Sequence, residues 1–396
     1  MERRDGGLSV VRALNEQLVL ETLLREGAVS RARLARLTGL SKPTVSSVVQ
    51  GLEDCALVRP QGRHRGNTGR PSTLYEVNPR AGYVLGVDLG GTNVRAGIAD
   101  LYGDVVAEET EATVFGSGQA IVDQVASLHQ RLLGRAGLDA ELVRVAAVGV
   151  PGIFDPGSDR VSAAANLPGL AGLAVSETLG RALGVPVQID NDVNLAAVGE
   201  RWRGLGLKPE NVVVVSIGTG IGMGIIIGGE IYRGSGAAGE IDFLPIGADP
   251  FVHDQGHGPL ELSVAGPALV ERLRRRIQAG DETQLRASED PAEIFAAAAC
   301  GDLVAAELVE EEARMVALAV AAVAAVLDPE LVVLGGGVGS NPGLLEPVRR
   351  NLAAIFPRPV DVRTSTLGDR AGFHGALAVA LRAARQELLA EVAARR

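Results

Sequence analysis

Cysteine is scarce in this chain of 396 residues. The two cysteines, Cys55 and Cys300, are too few for a disulfide-stapled domain or a cysteine-rich zinc module, and they fit a reducing compartment. No apolar run is suited to crossing a membrane, because residues 315–327 form too short a run and glycines and polar side chains interrupt residues 212–229. The first residues lack the apolar stretch of a secretory signal, so we expect a cytoplasmic protein without a membrane partner.

Aromatic residues make up only 3% of the sequence, whereas hydrophobic residues reach 46% and glycine occurs 51 times. This composition is typical of an α/β protein rich in alanine, valine and glycine, and it excludes a disordered chain. The length suggests roughly two to four domains.

Charge is unevenly distributed along the chain. The net charge of -10 argues on average against a protein that coats nucleic acid or anionic membrane. Residues 1–80, however, contain 13 Lys and Arg against 8 Asp and Glu, so the remainder contains 25 against 40. A head of net charge +5 therefore precedes a body of net charge -15, an asymmetry typical of a nucleic-acid-binding segment joined to another domain.

The head has the pattern of a helix-turn-helix. Apolar spacing predicts a helix over residues 15–25, Ser30 is a candidate N-cap for a helix over 31–38, and Gly39 ends that helix. A third helix follows Ser41, with Leu40 and three valines on its buried face. Its exposed side chains are small or form hydrogen bonds, as a helix in the major groove requires. The predicted DNA contacts on this helix are Ser41, Lys42, Thr44, Ser46, Ser47 and Gln50.

A basic hairpin follows the third helix. We expect strands at residues 55–59 and 74–77, and the segment between them carries Arg63, Arg65 and Arg70 without any acidic residue. Such a tip is suited to DNA phosphates or a minor groove, so residues 1–80 are predicted to form a winged helix-turn-helix. The alternative is a small helical interaction module with a solvated basic loop.

The body contains two glycine-rich hairpins of the same plan. Strand, glycine-threonine turn and strand occur at residues 83–98 and again at 211–227, which implies two related lobes facing a cleft. Glycine exposes backbone N–H groups that can approach phosphate oxygens, although many such hairpins are only turns. A third glycine cluster follows an apolar strand at 332–334. The candidate phosphate or ATP contacts are Asp88, Gly90, Gly91, Thr92, Gly218, Thr219, Gly220, Gly222, Gly335, Gly336 and Gly337.

Residues 187–200 run from a strand into a helix and place Asn191 and Asp192 at the strand's carboxyl end, where α/β folds bind ligands. One polar residue is enough to cap the helix, and Asp190, Asn191 and Asp192 all qualify. A carboxylate at this point is also suited to accept a proton from a substrate hydroxyl during phosphoryl transfer.

These segments resemble the ROK family of repressors, open reading frames and kinases, within the sugar-kinase and actin-like ATPase superfamily. The motifs are DLGGT at 88–92, GVPG at 149–152, NLPG at 166–169, DNDVN at 190–194, GTGIG at 218–222, GAAGE at 236–240 and GGGV at 335–338. A winged helix-turn-helix before such a body is the layout of the family's regulators of the xylose-repressor and N-acetylglucosamine-repressor type.

The resemblance implies a two-lobed actin-like, ribonuclease H-like α/β fold after the winged head. It implies a first lobe over residues 81–190, a second over 191–396 and a C-terminal helix that packs back on the first lobe. It assigns Asp192 as the catalytic base in the family's kinases. Sugar contacts would come from Asn166, Asn191, Asp192, Glu240 and Glu261.

The sequence departs from the family pattern at several positions. Phe243 stands where the family has a histidine that touches sugar and zinc, and Leu170 where it often has tryptophan. The cysteines of the family's zinc loop are all replaced within residues 252–259, so we expect no structural zinc. His253, Asp254 and His257 remain there as possible metal ligands, but a polar surface loop is the simpler interpretation.

The sequence thus favours a sugar-responsive transcriptional repressor of carbohydrate genes over an enzyme. Its expected partners are double-stranded operator DNA, a monosaccharide or sugar phosphate in the cleft, and further copies of itself in a homodimer or homotetramer. Residues 78–82 would link head and body. The alternative is a hexose or amino-sugar kinase with a DNA-binding head, which would require ATP and Mg²⁺. A structural adaptor is a third class, but it would not need both the cleft motifs and the basic wing.

Overall fold

The computed structural model describes residues 5–64, 72–162, 167–251, 257–286 and 290–394. The N-terminal head combines three helices with a small antiparallel sheet of strand order β1-β3-β2 within these ranges. Its elements are α1 (Asp5–Glu26), β1 (Val29–Ser30), α2 (Arg31–Thr38), α3 (Lys42–Asp54), β2 (Val58–His64) and β3 (Ser72–Val77).

Capping residues determine where α2 and α3 begin and end. The Ser30 hydroxyl accepts a hydrogen bond from the Arg33 N–H, and Gly39 ends α2 in the left-handed region at φ 74°. The Ser41 hydroxyl accepts from the Thr44 N–H in the same way, and a proline occupies the first turn of α3. The predicted limits of α2 and the predicted start of α3 are confirmed.

Two predicted boundaries in the head are wrong. Helix α1 begins at Asp5 instead of residue 15, and the strand expected from Cys55 begins at Val58. The reason for the second shift is that α3 continues to Asp54, and the chain then needs a turn to leave the helix. Ala56 makes this turn with φ 56°, and the Leu57 N–H donates to the Leu52 carbonyl. Leu40, expected on the buried face, is only half-buried.

The first sheet of the body has strand order β10-β7-β4-β5-β6. Strand β4 pairs antiparallel with β5 and parallel with β7, so a hairpin and a crossover strand share it. The elements are β4 (Tyr83–Leu89), β5 (Asn93–Asp100), β6 (Val105–Ala112), α4 (Gly118–Ala136), β7 (Val143–Val150), β8 (Ile153–Asp155), β9 (Arg160–Ser162), α5 (Val175–Leu183) and β10 (Val187–Asn191).

The second sheet repeats this arrangement with strand order β13-β12-β11-β14-β15. Strand β11 pairs antiparallel with β12 and parallel with β14, as β4 does with β5 and β7. The remaining elements are α6 (Asp192–Arg203), β11 (Val212–Ile217), β12 (Ile221–Ile227), β13 (Glu230–Ile231), α7 (Glu261–Val264), α8 (Gly266–Gln278), α9 (Pro291–Ala299), α10 (Leu303–Leu327), β14 (Leu331–Gly335), α11 (Gly336–Gly339), α12 (Pro342–Ile355), β15 (Val362–Thr364) and α13 (Ala371–Ala394).

The C-terminal helix α13 connects the lobes and the head. It packs on α6, on strands β4 and β7 of the first sheet, and on α1. One continuous cluster of buried side chains therefore includes Leu20 and Leu23 of the head together with Leu388 and Val392 of α13. Within the described ranges, none of the helices combines the length and the apolarity needed to span a membrane.

Candidate functional site

Two adjoining cavities lie between the lobes. The smaller, of about 160 Å³, is lined by polar groups and has room for about five waters, which suits a small polar ligand. The larger, of about 970 Å³, lies at the upper end of the range of roughly 300 to 1,000 Å³ found for ligand pockets. Four residues border both cavities: Gly91, Asp192, Gly218 and Thr219. Two ligands, one in each cavity, would therefore lie next to each other at Asp192.

The chain direction at the end of β10 places Asp192 at this point. Strand β10 pairs in parallel with β7, and Asn191 opposes Val150 at the carboxyl end of both strands. Asn191 is the N-cap of α6, because its Oδ1 accepts from the N–H groups of Val193 and Asn194 at 2.9 and 3.0 Å. Asn191 thus caps the helix, and Asp192 in the first turn, whose Oδ1 also accepts from the Val193 N–H at 2.9 Å, lines both cavities.

Two carboxyl groups share the floor of the cleft. Burial and, after it, the nearby Asp88 raise the pKa of Asp192 to about 7. Burial also raises the pKa of Asp88 to about 6, while Arg95 opposes the shift. The pKa of Asp192 therefore lies near neutral pH, where its carboxylate can accept a proton from a hydroxyl group.

Acidic groups also form the opposite wall of the smaller cavity. Burial and the neighbouring Asp242 and Glu261 raise the pKa of Glu240 to about 7. Asp242 has its pKa raised to about 6, first by burial and then by Glu261. Glu261 accepts a hydrogen bond from the Ile221 N–H at 3.1 Å and contacts the His257 ring Nδ1. This wall offers several acceptors to a ligand that carries hydroxyl groups.

His257 was expected in a polar surface loop, and the structure corrects this expectation. His257 is half-buried, lines the smaller cavity and pairs with Glu261 four residues later. His257 precedes α7, which begins at Glu261, so helical spacing gave no signal for this pair.

The ion pair between Asp190 and Arg233 was also missed. Asp190 belongs to β10, and Arg233 follows β13 on the loop that leads to Glu240. The Arg233 Nη2 and Nε donate to Asp190 Oδ2 at 2.5 and 3.1 Å, and Asp190 is buried. This pair fastens the Glu240 loop to the strand that presents Asp192. No motif joins residues 43 positions apart, so only the fold reveals the contact.

Glycine turns border the larger cavity, and its lining is compatible with a nucleotide. The Gly218 N–H donates to the Gly220 carbonyl and closes the β11–β12 turn. Gly336 has φ 75° and packs so closely on Ile217 that no side chain would fit there. The predicted phosphate contacts Asp88, Gly90, Gly91, Thr92, Gly218, Thr219 and Gly337 all line this cavity. Backbone N–H groups and threonine hydroxyls of this kind fit the phosphates of ATP, and the carboxylates of Asp88 and Asp192 fit Mg²⁺.

Other predicted residues occupy different positions. Gly220 and Gly222 line the smaller cavity, and Gly335 and Gly336 border a third cavity beside Asp88. Asn166, His253 and Asp254 lie outside the described residues. Among the described residues, no three His, Cys, Asp or Glu side chains are grouped as metal ligands.

The side chains of α3 that are predicted to contact DNA differ in their exposure. Lys42, Ser47 and Gln50 are exposed, whereas Thr44 and Ser46 are half-buried. The Ser41 hydroxyl is engaged at the N-cap, and Gln50 donates to Asp54 Oδ1 at 2.9 Å. Arg63 lies in β2, and Arg65 and Arg70 fall outside the described residues.

Comparison with protein-family models places both parts of the chain. A model described as the ROK family matches residues 84–383, which is more than half of the chain, and one described as the MarR family matches residues 14–66. The chain belongs to the ROK family. The expected order of a winged helix-turn-helix and a sugar-kinase-like actin fold is confirmed.

Relatives of two kinds align with this ROK chain. A putative xylose repressor of Caldicellulosiruptor sp. is 29% identical over 392 residues, which are 95% of this chain and 97% of that protein. A glucokinase of Streptomyces coelicolor is 33% identical over 312 residues, which are 74% of this chain and 96% of the enzyme. The repressor match thus extends over the head, whereas the glucokinase match leaves about a quarter of the chain uncovered.

Solved structures show the same division. A ROK family transcriptional regulator, described as a homolog of the E. coli MLC protein, superposes with a TM-score of 0.77 at 22% identity and covers 97% of this chain and 99% of its own. A ROK family glucokinase from Streptomyces griseus, in complex with glucose and AMPPNP, has a TM-score of 0.66 at 30% identity. That match covers 76% of this chain and 100% of the glucokinase.

Two family positions differ in this ROK chain. Phe243, at the position of the family histidine, has 52% of its surface exposed, and Leu170 is buried in the core of the first lobe. Glu240 lies on the wall of the smaller cavity, and its charged neighbours include Asp242 and Glu261.

Proposed function

We propose that this ROK protein is a cytoplasmic, sugar-responsive transcriptional repressor. The observation that carries the proposal is that one helix, α13, reaches both the acidic cleft and the buried core of the winged head. The head would bind operator DNA, and a monosaccharide or sugar phosphate would bind in the smaller cavity. A homodimer or homotetramer would match the two-fold symmetry of an operator.

The contacts of α13 suggest how cleft and head communicate. At its start, Gly372 packs so closely on the Asp88 carboxyl group that a Cβ would lie 2.5 Å from it. Its middle lies against α6, the helix that begins with Asp192. Its last turns place Leu388 and Val392 in the core shared with the head. A sugar that binds one arrangement of these helices more tightly would shift the population of head orientations.

The likeness to relatives named xylose repressor, which extends over the head, supports the regulatory assignment. The acidic wall of Glu240, Asp242 and Glu261 supports a sugar as effector, because carboxylates and amides bind adjacent hydroxyls in pairs. Induction and co-repression are both compatible with this geometry, so the sign of the response is an outcome of the experiment.

The test is a gel-shift titration of the full chain on DNA upstream of its own gene neighbourhood, with and without a panel of monosaccharides and sugar phosphates. We expect a sequence-specific complex whose affinity changes with one of these sugars. Glu240→Gln should abolish the sugar response and keep DNA affinity, whereas Lys42→Ala should weaken DNA binding. Absence of any sequence-specific, sugar-modulated complex would contradict the proposal.

A second candidate is an ATP-dependent sugar kinase, favoured by the position of Asp192 between the two cavities. When bound, ATP would supply the phosphoryl group, with its phosphates near the turns at Thr92 and Thr219. Asp192 would accept the proton of the sugar hydroxyl that faces it, and its pKa of about 7 suits that role.

Release of ADP over a panel of hexoses and amino sugars tests the kinase candidate. Turnover that disappears in Asp192→Asn, in protein whose thermal unfolding midpoint is unchanged, would promote the enzyme to first place. If no sugar stimulates ADP release from the wild-type protein, this candidate is excluded for the sugars in the panel.

A further inference from the structure

Behind the cleft, the body contains a separate cavity of about 430 Å³. It lies between α6, α13 and the β12–β13 hairpin, and its residues do not overlap those of the two cleft cavities. We call it the hinge cavity. Its volume falls within the range of roughly 300 to 1,000 Å³ that is typical of ligand pockets. The volume alone does not identify a ligand, but the charged side chains that line the cavity indicate which class of ligand would bind.

Three arginines line the hinge cavity, one from each of three segments. They are Arg201 of α6, Arg233 after β13 and Arg382 of α13, and Glu230 is the one acidic residue of the lining. The lining thus holds three positive charges against one negative charge, and Asp190 at its edge pairs with Arg233, in a body whose overall charge is strongly negative. Guanidinium groups from separate elements are the usual means of holding phosphate through paired hydrogen bonds.

The neighbouring contacts keep these groups at the cavity. Arg382 Nη1 donates to Glu230 Oε2 at 2.7 Å, with both side chains 66% exposed. The Arg201 guanidinium lies beside Gly229, where a Cβ would approach its Nη2 at 3.4 Å, so the glycine leaves room for the group. Arg233 is fastened from the other side by Asp190 and has 48% of its side chain exposed.

We propose that the hinge cavity is a second binding site, specific for a small phosphate-bearing anion. A phosphate monoester carries a charge of about -1.5 to -2 at pH 7, so the three guanidinium groups of the lining would attract it. The site is independent of the sugar and nucleotide assignments of the cleft. It touches the cleft at one point, because Arg233 lines the hinge cavity and also holds Asp190 at the end of β10. Bound phosphate would compete with Asp190 for this guanidinium.

The test is a titration of inorganic phosphate with the full chain, followed by ³¹P NMR line broadening at constant ionic strength. We expect saturable binding to the wild-type protein that Arg382→Ala weakens about tenfold or more, as the loss of a charge-assisted contact predicts. Arg201→Gln should have the same effect. Arg358→Ala is the matched control, because Arg358 pairs with Asp328 on the surface with both side chains 75% exposed.

Thr219→Ala separates this site from the glycine turns of the cleft, which are also candidate phosphate binders. Phosphate affinity that is reduced in Arg382→Ala and Arg201→Gln but unchanged in Arg358→Ala supports the hinge site, also where Thr219→Ala loses a separate binding event in the cleft. The proposal is overturned if no saturable binding occurs, if all variants bind equally, or if Thr219→Ala alone loses binding. None of these outcomes depends on whether the protein binds DNA or sugar.

Discussion

Replacing Gly375 by alanine should force apart the two helices that join the cleft to the head. Gly375 of α13 lies on the backbone of α6, so an added Cβ would overlap the Leu195 carbonyl and lie 2.9 Å from its Cα. Gly199 of α6 makes the reciprocal approach, where a Cβ would lie 3.0 Å from the Gly375 nitrogen. Backbone atoms cannot rotate away as a side chain tip does, so the helices must separate by about 1 Å or more.

The size of the effect follows from two opposing contributions. Overpacking a close-packed contact costs about 1 to 3 kcal/mol or more, and a gap of 0.5 to 1 Å forfeits roughly a quarter to a half of the dispersion energy nearby. Alanine also favours the helix over glycine by about 1 kcal/mol. We therefore expect Gly375→Ala to lower the free energy of unfolding by about 2 kcal/mol net.

The assay is urea unfolding followed by circular dichroism, with Gly134→Ala as the control. Gly134 is an exposed glycine of α4 with open space where its Cβ would lie. Gly134→Ala gains only the higher helix propensity of alanine and should raise the free energy of unfolding by about 0.5 to 1 kcal/mol. If Gly375→Ala is as stable as the wild-type protein while Gly134→Ala behaves as expected, then α6 and α13 do not approach each other closely at Gly375.

Three further predictions concern the head, the cleft and the second lobe. Ser41→Ala removes the N-cap of α3 and should cost about 1 kcal/mol, read as a lower thermal midpoint, with Ser41→Asp as the conservative replacement. The pKa of Asp192 is raised on folding, so its contribution to stability is present at low pH and is lost as the pH rises through about 7. Urea unfolding at about pH 5 and pH 8 should therefore show a steeper loss of stability in the wild-type protein than in Asp192→Asn, and parallel slopes would contradict the assignment. Arg272→Ala leaves the fully buried Glu312 of α10 without its partner and should cost about 3 to 5 kcal/mol in urea, far more than Arg358→Ala at the surface.

Local signals in the sequence were sufficient wherever one residue controls one boundary. Ser30 and Gly39 fixed α2 because a cap acts within one turn, and the glycine-threonine turns fixed both hairpins for the same reason. The strand after α3 was placed three residues too early because Cys55 and Ala56 are not typical turn residues. Ala56 adopts a positive φ there because the following strand must turn back to pair with β3.

Contacts between distant segments were beyond the sequence. Asp190 was recognised only as a possible helix cap, and its real partner is Arg233 on the other lobe. His257 was expected in a loop because its segment lacks the cysteines that would organise a metal site. Its pairing with Glu261 depends on the fold of α7 against the β11–β12 turn, where Ile221 holds the same carboxylate. Asp192 was found because strand ends in α/β folds recur as ligand positions.

The contact between head and body separates the role of packing from the role of charge. Head and body meet through apolar contacts, with Leu20 and Leu23 of α1 in one buried cluster with Leu388 and Val392 of α13. Burial of apolar surface is not screened by salt, whereas contacts between the basic head and DNA phosphates are. Salt should therefore weaken DNA binding steeply and leave the head seated on the body. If attraction between the net charge of +5 on the head and -15 on the body held the two together, added salt would loosen the head. Amide hydrogen exchange of residues 15–26 at low and high salt distinguishes electrostatic attraction from apolar packing. If the amide protection of residues 15–26 is unchanged while DNA affinity falls steeply, apolar packing holds the head on the body. The positive charge of the head then acts on DNA.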